Sequence, residues 1–377
     1  TSVRELETED GARVIRQTQS IAVGDGLNYT KIQQNPVITA DVLPEGSSSI
    51  DFRDPRIWKE GNTYYSCIGS RNADASGQIA LFSSGDTETW KWEGIIDRCN
   101  NRYGKMWECP DFFTLEEKQV LIVSPQFMRA EGLEFHNGNN SIYFAGTFDR
   151  ETKQFLREEA GSIDYGLDFY APQTVETADG RRVMIAWMQS WDNYLTPEDS
   201  TWSGVMTIPR ELSFKGNKLI QKPIRELEAY WKKEIVHKAV KLEKQAGEKM
   251  LDGIHGRIFD MTVECTGSDY RSFEIILAAD SENRTSLIYD REKGTLTTDR
   301  TYSGLVHDLI STRSMVTEEH DGKISLRILM DKFTLEVFAN DGEQAMTSLI
   351  YTPLCARDIR FSCDGTAEIS VVMHELV

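Results

Sequence analysis

Positive charge is scarce in this 377-residue chain: 42 Lys and Arg face 60 Asp and Glu, for a formal net charge of −18. That balance excludes the basic faces on which nucleic acid and anionic membranes bind, and it suits a soluble protein with a neutral substrate. No apolar run approaches the roughly 20 residues of a membrane-spanning helix, so no membrane partner is expected. Cysteine is sparse and scattered, at positions 67, 99, 109, 265, 355 and 363, with no C-x-x-C pair. Zinc is thereby disfavoured, and the six histidines add no ligand spacing, so neither a metal nor an organic cofactor is expected. Reduced thiols favour a cytoplasmic location. Asn-x-Ser/Thr triplets at Asn28, Asn139 and Asn283 arise easily by chance and leave secretion open.

A long helical period is also missing. From Arg16 to about Phe214 the chain reads as short strands joined by turn residues: Arg56-Ile-Trp-Lys and Thr63-Tyr-Tyr-Ser-Cys-Ile, then Val120-Leu-Ile-Val, Ile142-Tyr-Phe-Ala-Gly-Thr-Phe and Val183-Met-Ile-Ala-Trp-Met. The class is all-β. Regular spacing fits the blades of a propeller, whose inner strands converge on a channel, and leaves a sandwich open. In residues 214–236, a connector, Ile224, Leu227 and Trp231 share one face of a short amphipathic helix. Strands then resume. The clearest hairpin joins Ile324-Ser-Leu-Arg-Ile-Leu-Met to Phe333-Thr-Leu-Glu-Val-Phe at Asp331-Lys332, with Phe333, Leu335 and Val337 inward and Thr334 and Glu336 outward. Such strands without helices read as a β-sandwich. The length allows two domains, 1–213 and 237–377, with 214–236 as linker.

Two carboxylates carry the chemistry. Glu108 lies between Trp107 and Cys109, where poor solvation would favour the protonated form that a general acid needs. Asp54 lies between Arg53, which would hold it ionised, and Pro55, which biases it toward an extended backbone. One protonated and one ionised carboxyl on neighbouring strands are the working parts of glycoside hydrolysis. Taken alone, either residue is also consistent with a structural role: a surface glutamate beside a strand, or a strand cap paired with arginine.

Phe52-Arg-Asp-Pro-Arg-Ile-Trp and Trp107-Glu-Cys-Pro-Asp-Phe-Phe resemble two signature motifs of glycoside hydrolase family 32, the invertases, inulinases, levanases and sucrose-6-phosphate hydrolases. The resemblance continues through Ile163-Asp-Tyr-Gly-Leu-Asp-Phe-Tyr-Ala-Pro-Gln-Thr, Thr207-Ile-Pro-Arg-Glu-Leu-Ser and Leu335-Glu-Val-Phe-Ala-Asn-Asp-Gly-Glu. It implies a five-bladed β-propeller followed by a C-terminal β-sandwich. That family's nucleophile is an Asp in a motif resembling Trp-Met-Asn-Asp-Pro-Asn-Gly, and no such stretch occurs in this sequence. The first blade is therefore expected to be missing or incomplete here.

The resemblance implies a retaining β-fructofuranosidase that cuts terminal fructosyl bonds of sucrose, fructo-oligosaccharide or fructan. Glu108 would be the acid/base and Asp54 the transition-state stabiliser. Arg53, Trp107, Cys109, Asp164 and Trp191 would line the substrate. The absent nucleophile keeps a second reading open, that of a truncated, catalytically inactive carbohydrate-binding relative. It also makes a separate N-terminal segment or a homo-oligomer an expected partner.

Overall fold

The computed structural model describes residues 1–7, 11–193, 196–197, 200–305 and 309–376. Its regular structure is β apart from short 3-10 turns, and among the described residues no helix is long and apolar enough to cross a membrane. Contacts divide the chain into one unit of residues 1–130, 135–162 and 171–173 and a second of residues 131–134, 163–170 and 174–377.

The first unit opens with two small hairpins, β1 (Ser2–Glu7) with β2 (Arg13–Thr18) and β3 (Ala22–Gly24) with β4 (Tyr29–Lys31). Two four-stranded antiparallel meanders follow. The first runs through β5 (Phe52–Glu60), β6 (Thr63–Arg71), β7 (Gly77–Ser84) and β8 (Lys91–Arg98); the second through β9 (Met106–Leu115), β10 (Lys118–Gln126), β11 (Ile142–Asp149) and β12 (Gln154–Ser162). Each is the sheet from which a propeller blade is built. Alternate residues of both sheets meet in one core containing Ile79, Leu81, Trp107, Phe112, Leu121, Val123 and Phe144. Two glycines admit Trp107: a Cβ on Gly69 would stand 2.1 Å from its carbonyl oxygen, and one on Gly77 would stand 2.5 Å from its indole ring.

β13 (Tyr170–Glu176), β14 (Arg182–Met188), β16 (Arg210–Lys215) and β17 (Lys218–Pro223) form a further sheet, with the short β15 (Val205–Met206) on β14. The expected domain boundary after residue 213 falls inside β16, and the sheet continues to Pro223. The expected amphipathic helix is one 3-10 stretch, Arg225–Tyr230; Trp231 instead starts β18 (Trp231–Glu243), because its backbone pairs with Leu376 at the end of the chain.

The remaining strands are β19 (Ile258–Ala279), β20 (Arg284–Asp290), β21 (Thr295–Tyr302), β22 (Thr312–Val316), β23 (Lys323–Asp331), β24 (Thr334–Ala339), β25 (Gln344–Leu349) and β26 (Asp358–Leu376). The first part of β19 pairs with β23 and the last part with β20, while β26 follows it along both. A strand that changes partners through irregularities in register is how two layers of a sandwich share one chain segment. The β23–β24 hairpin turns at Lys332 and Phe333, one residue beyond the expected Asp331-Lys332, because Asp331 still pairs with Thr334; Leu335 and Val337 enter the core, while Phe333, expected inward, sits half-buried in the turn. Glu336 does not face solvent. It is 4% exposed because it pairs with Arg210 at 2.7 Å.

Candidate active site

β5 and β9 lie at the edges of their two sheets, and both carry the same irregularity. In β5 the register jumps between Arg53 and Arg56, so Asp54 and Pro55 together oppose one residue of β6. In β9, Cys109 and Pro110 likewise oppose one residue of β10. The bulged residue has positive φ in each, 62° at Asp54 and 49° at Cys109. Asp54 is therefore not extended as Pro55 suggested. A bulge adds a residue without its ladder bonds and re-aims the side chain, which is why bulges gather at active sites. β13 carries a third such position, Ala171 before Pro172, with φ 53°.

The two bulged strands meet rung by rung with a sequence offset of 55 residues. Arg53 Nε donates to Glu108 Oε1 at 2.8 Å, and the Cys109 backbone N–H donates to Asp54 Oδ2 at 3.1 Å. Two residues further on, Arg56 Nε pairs with the fully buried Asp111 at 3.1 Å. Gln173 Nε2 donates to the Cys109 carbonyl at 2.9 Å. The Asp54 carboxylate thus sits on the residue next to Glu108.

Glu108 is nearly enclosed, its side chain 12% exposed, but its setting is polar rather than apolar. Gln126 Nε2 donates to Oε2 at 3.0 Å, so each carboxyl oxygen has its own donor. Trp107 is not a wall of the site. It lies on the opposite face of β9, fully buried, with Nε1 donating to the Tyr103 carbonyl at 2.7 Å. Arg53 does not hold Asp54 either: its guanidinium spans Asp51, at 2.9 Å, and Glu108. Burial pulls the Arg53 pKa down, yet the bond to Asp51 and the charge of Glu108 outweigh this and raise it above its ordinary value. The Cys109 thiol, 3.6 Å from Asp54 Oδ2, is pushed up by burial and then by the charges of Asp54 and Glu108, and it stays protonated.

The remaining expected residues lie in the second unit. Asp164 has no exposed side-chain surface, so the expected sugar contact has no accessible oxygen to make it. Its Oδ2 accepts from Arg210 at 2.9 Å and Thr347 at 2.6 Å, and its Oδ1 accepts from the backbone of Gly166 and Thr347. Asp168 is buried in the same way against Arg300 and the Leu349 backbone. Trp191 is 49% exposed, with its ring edge-on to Trp187 at 5.3 Å. Trp187 shares the outer face of β14 with the exposed Ile185. Gln126 escaped the sequence reading because an amide after Ser124-Pro125 carries no chemical signature. The repeated residue-before-proline at 54, 109 and 171 was the legible sign of the site.

Among the described residues no cluster is suited to a metal, and this site offers two adjacent carboxyls with fixed donors. Such a pair can transfer a proton and steady positive charge. The family profile described as "Glycosyl hydrolases family 32 N-terminal domain" matches residues 5–223, and "Glycosyl hydrolases family 32 C terminal" matches residues 226–375. The chain is 31% identical over 356 residues to a raffinose invertase of Escherichia coli, covering 94% of this chain and 71% of that protein. It is 30% identical over 385 residues to a sucrose-6-phosphate hydrolase of Bacillus subtilis, covering 99% and 75%. Among solved structures, it is similar to a Bombyx mori GH32 beta-fructofuranosidase, with TM-score 0.82 and 28% identity over 99% of this chain and 75% of that one.

Proposed function

The chain belongs to glycosyl hydrolase family 32, with that family's β-propeller and C-terminal β-sandwich, and from this premise we propose that it hydrolyses terminal fructosyl bonds of sucrose, fructo-oligosaccharide or fructan. The observation that carries the reading is the rung-by-rung meeting of β5 and β9, which sets Asp54 against the residue beside Glu108. Glu108 protonates the departing oxygen and then takes a proton from water. Asp54 accepts hydroxyls of the fructosyl ring, and those bonds strengthen as positive charge grows toward the oxocarbenium-like transition state. The attacking carboxylate of a retaining reaction is assigned to no residue of this sequence. The relatives named above all carry hydrolase names, and none favours the inactive alternative.

Fructose release from sucrose and inulin tests the assignment. Glu108→Gln is expected to lower kcat by about 10²–10⁴ and Asp54→Asn by about 10²–10³, with both variants folded. Unchanged rates in both would remove the two residues from the chemistry. A cytoplasmic location is supported by the six cysteines, none of which is bridged.

A further inference from the structure

A general acid bonded to a guanidinium is under conflicting demands, since a cation beside a carboxyl favours the ionised form while the reaction needs the proton. Arg53 Nε lies 2.8 Å from Glu108 Oε1. The charge is carried onward from there. Arg53 Nη1 pairs with Asp51 Oδ1 at 2.9 Å, and Asp51 Oδ2 pairs with Arg71 Nε at 2.8 Å. Glu108, Arg53, Asp51 and Arg71 therefore stand in a line of alternating sign. Side-chain exposure falls along it from 34% at Arg71, through 19% and 16%, to 12% at Glu108. Water screens the outer end most and the inner end least.

Local structure fixes the middle of this line. Asp51 immediately precedes β5; its backbone N–H donates to the Ser48 hydroxyl at 3.1 Å, and that hydroxyl donates to Oδ2 at 3.2 Å. Arg71 closes β6, and its carbonyl accepts from the Ser48 backbone at 2.9 Å. Other charged or titratable groups near Glu108, on the strands packed against β9, are engaged elsewhere or neutral. On β5, Asp54 accepts from the Cys109 N–H and Arg56 pairs with Asp111 of β9. On β6, burial pushes the Cys67 thiol up and keeps it protonated, as it does Cys109 on β9 itself. β10 and β13 bring the neutral amides Gln126 and Gln173, and β7 carries no titratable side chain.

Two carboxylates that share one guanidinium each feel less of it. We propose that Asp51 is a positioning residue for proton transfer: it draws the Arg53 charge away from Glu108, and Arg71 behind it limits that draw. An arginine at the surface thereby helps to set how firmly the acid holds its proton. Its part in catalysis rests on the reading of Glu108 as the acid of the hydrolase. A role confined to stiffening the start of β5 would make the sign of each charge irrelevant. Alternation instead gives neighbouring links opposite effects. Removing Asp51 leaves Glu108 beside an undivided cation, whereas removing Arg71 takes a cation away.

The test uses the full chain with carbon-13 in its glutamate carboxyls, the Glu108 resonance being assigned by its loss in Glu108→Gln. In Asp51→Asn the midpoint of its titration is expected to fall by about one pH unit, and in Arg71→Gln to rise by about 0.3. The alkaline limb of kcat/KM for sucrose is expected to move in the same two directions, which a loss of packing does not produce. If Asp51→Asn does not fold, Arg71→Gln, at the exposed end of the line, decides alone. Midpoints that stay put, that move the same way in both variants, or that move without the limb overturn the proposal. Absence of fructose release from the unaltered chain, or full activity in Glu108→Gln, sinks the hydrolase reading instead, and the midpoints then decide whether the line of charges acts.

Discussion

At Glu108 one carboxyl oxygen accepts from Arg53 and the other from Gln126, so neither can rotate without losing a bond. Orientation of this kind governs proton transfer, since a group held in line with the departing oxygen reacts far faster than one that must be found. Gln126→Ala is expected to lower kcat about tenfold with little change in KM, because it loosens the acid and leaves the sugar contacts in place. Arg53→Lys keeps the charge but not the fork that spans Asp51 and Glu108, and a loss of about 10- to 100-fold is expected. Steady-state kinetics on sucrose with the kcat and KM effects separated would check both. A pure KM effect would instead make Arg53 a sugar ligand.

The bulges were hidden from a reading of pattern alone, although their consequences were partly visible. Alternation foretold the strands, and the Asp-Pro and Cys-Pro pairs marked where β5 and β9 carry the site. A proline argues for an extended predecessor, whereas Asp54 and Cys109 take positive φ because the extra residue has no ladder partner. Trp107 and Glu108, adjacent in sequence, belong to opposite faces, so the apolar pocket inferred from adjacency does not form. Asp164, Arg210 and Glu336 come from three of the motifs that carry the resemblance, and they join in a buried network instead of touching sugar. Only tertiary placement separates such structural charges from catalytic ones. At this scale Gly69 is decisive, since its missing side chain lets the main chain of Trp107 approach. Gly69→Ala is expected to push β9 away, to destabilise by about 1–3 kcal/mol, and to cut activity more than tenfold. Urea denaturation beside a fructose-release assay reads both.

Over the molecule as a whole, acidic residues are in excess and the arginines are spent on particular carboxylates. Arg210, fully buried between Asp164 and Glu336, lies 5.0 Å from the ring centres of both Phe169 and Phe338. Burial pushes both carboxyls up against the pull of Arg210. Arg210→Met would leave two carboxyls buried without their cation, and a loss of about 3–5 kcal/mol in urea unfolding is expected. Glu211 responds in the opposite direction. Bonds from Arg225, then from Arg181, hold its carboxyl down to about 2 from an ordinary 4.5. A carboxyl depressed by folding contributes stability that is present above pH 4.5 and lost as pH falls toward 2. Glu211→Gln is expected to make the decline of the urea midpoint between pH 5 and 2.5 shallower, with little further change on acidification below that. Arg53 and Glu108 hold equivalent places before their bulges, and so do Asp54 and Cys109 within them, 55 residues apart. One backbone template is thus written twice with different occupants. The chemistry is a two-letter word set ahead of each proline, and an engineer could rewrite it in one copy while the other keeps the scaffold's grammar.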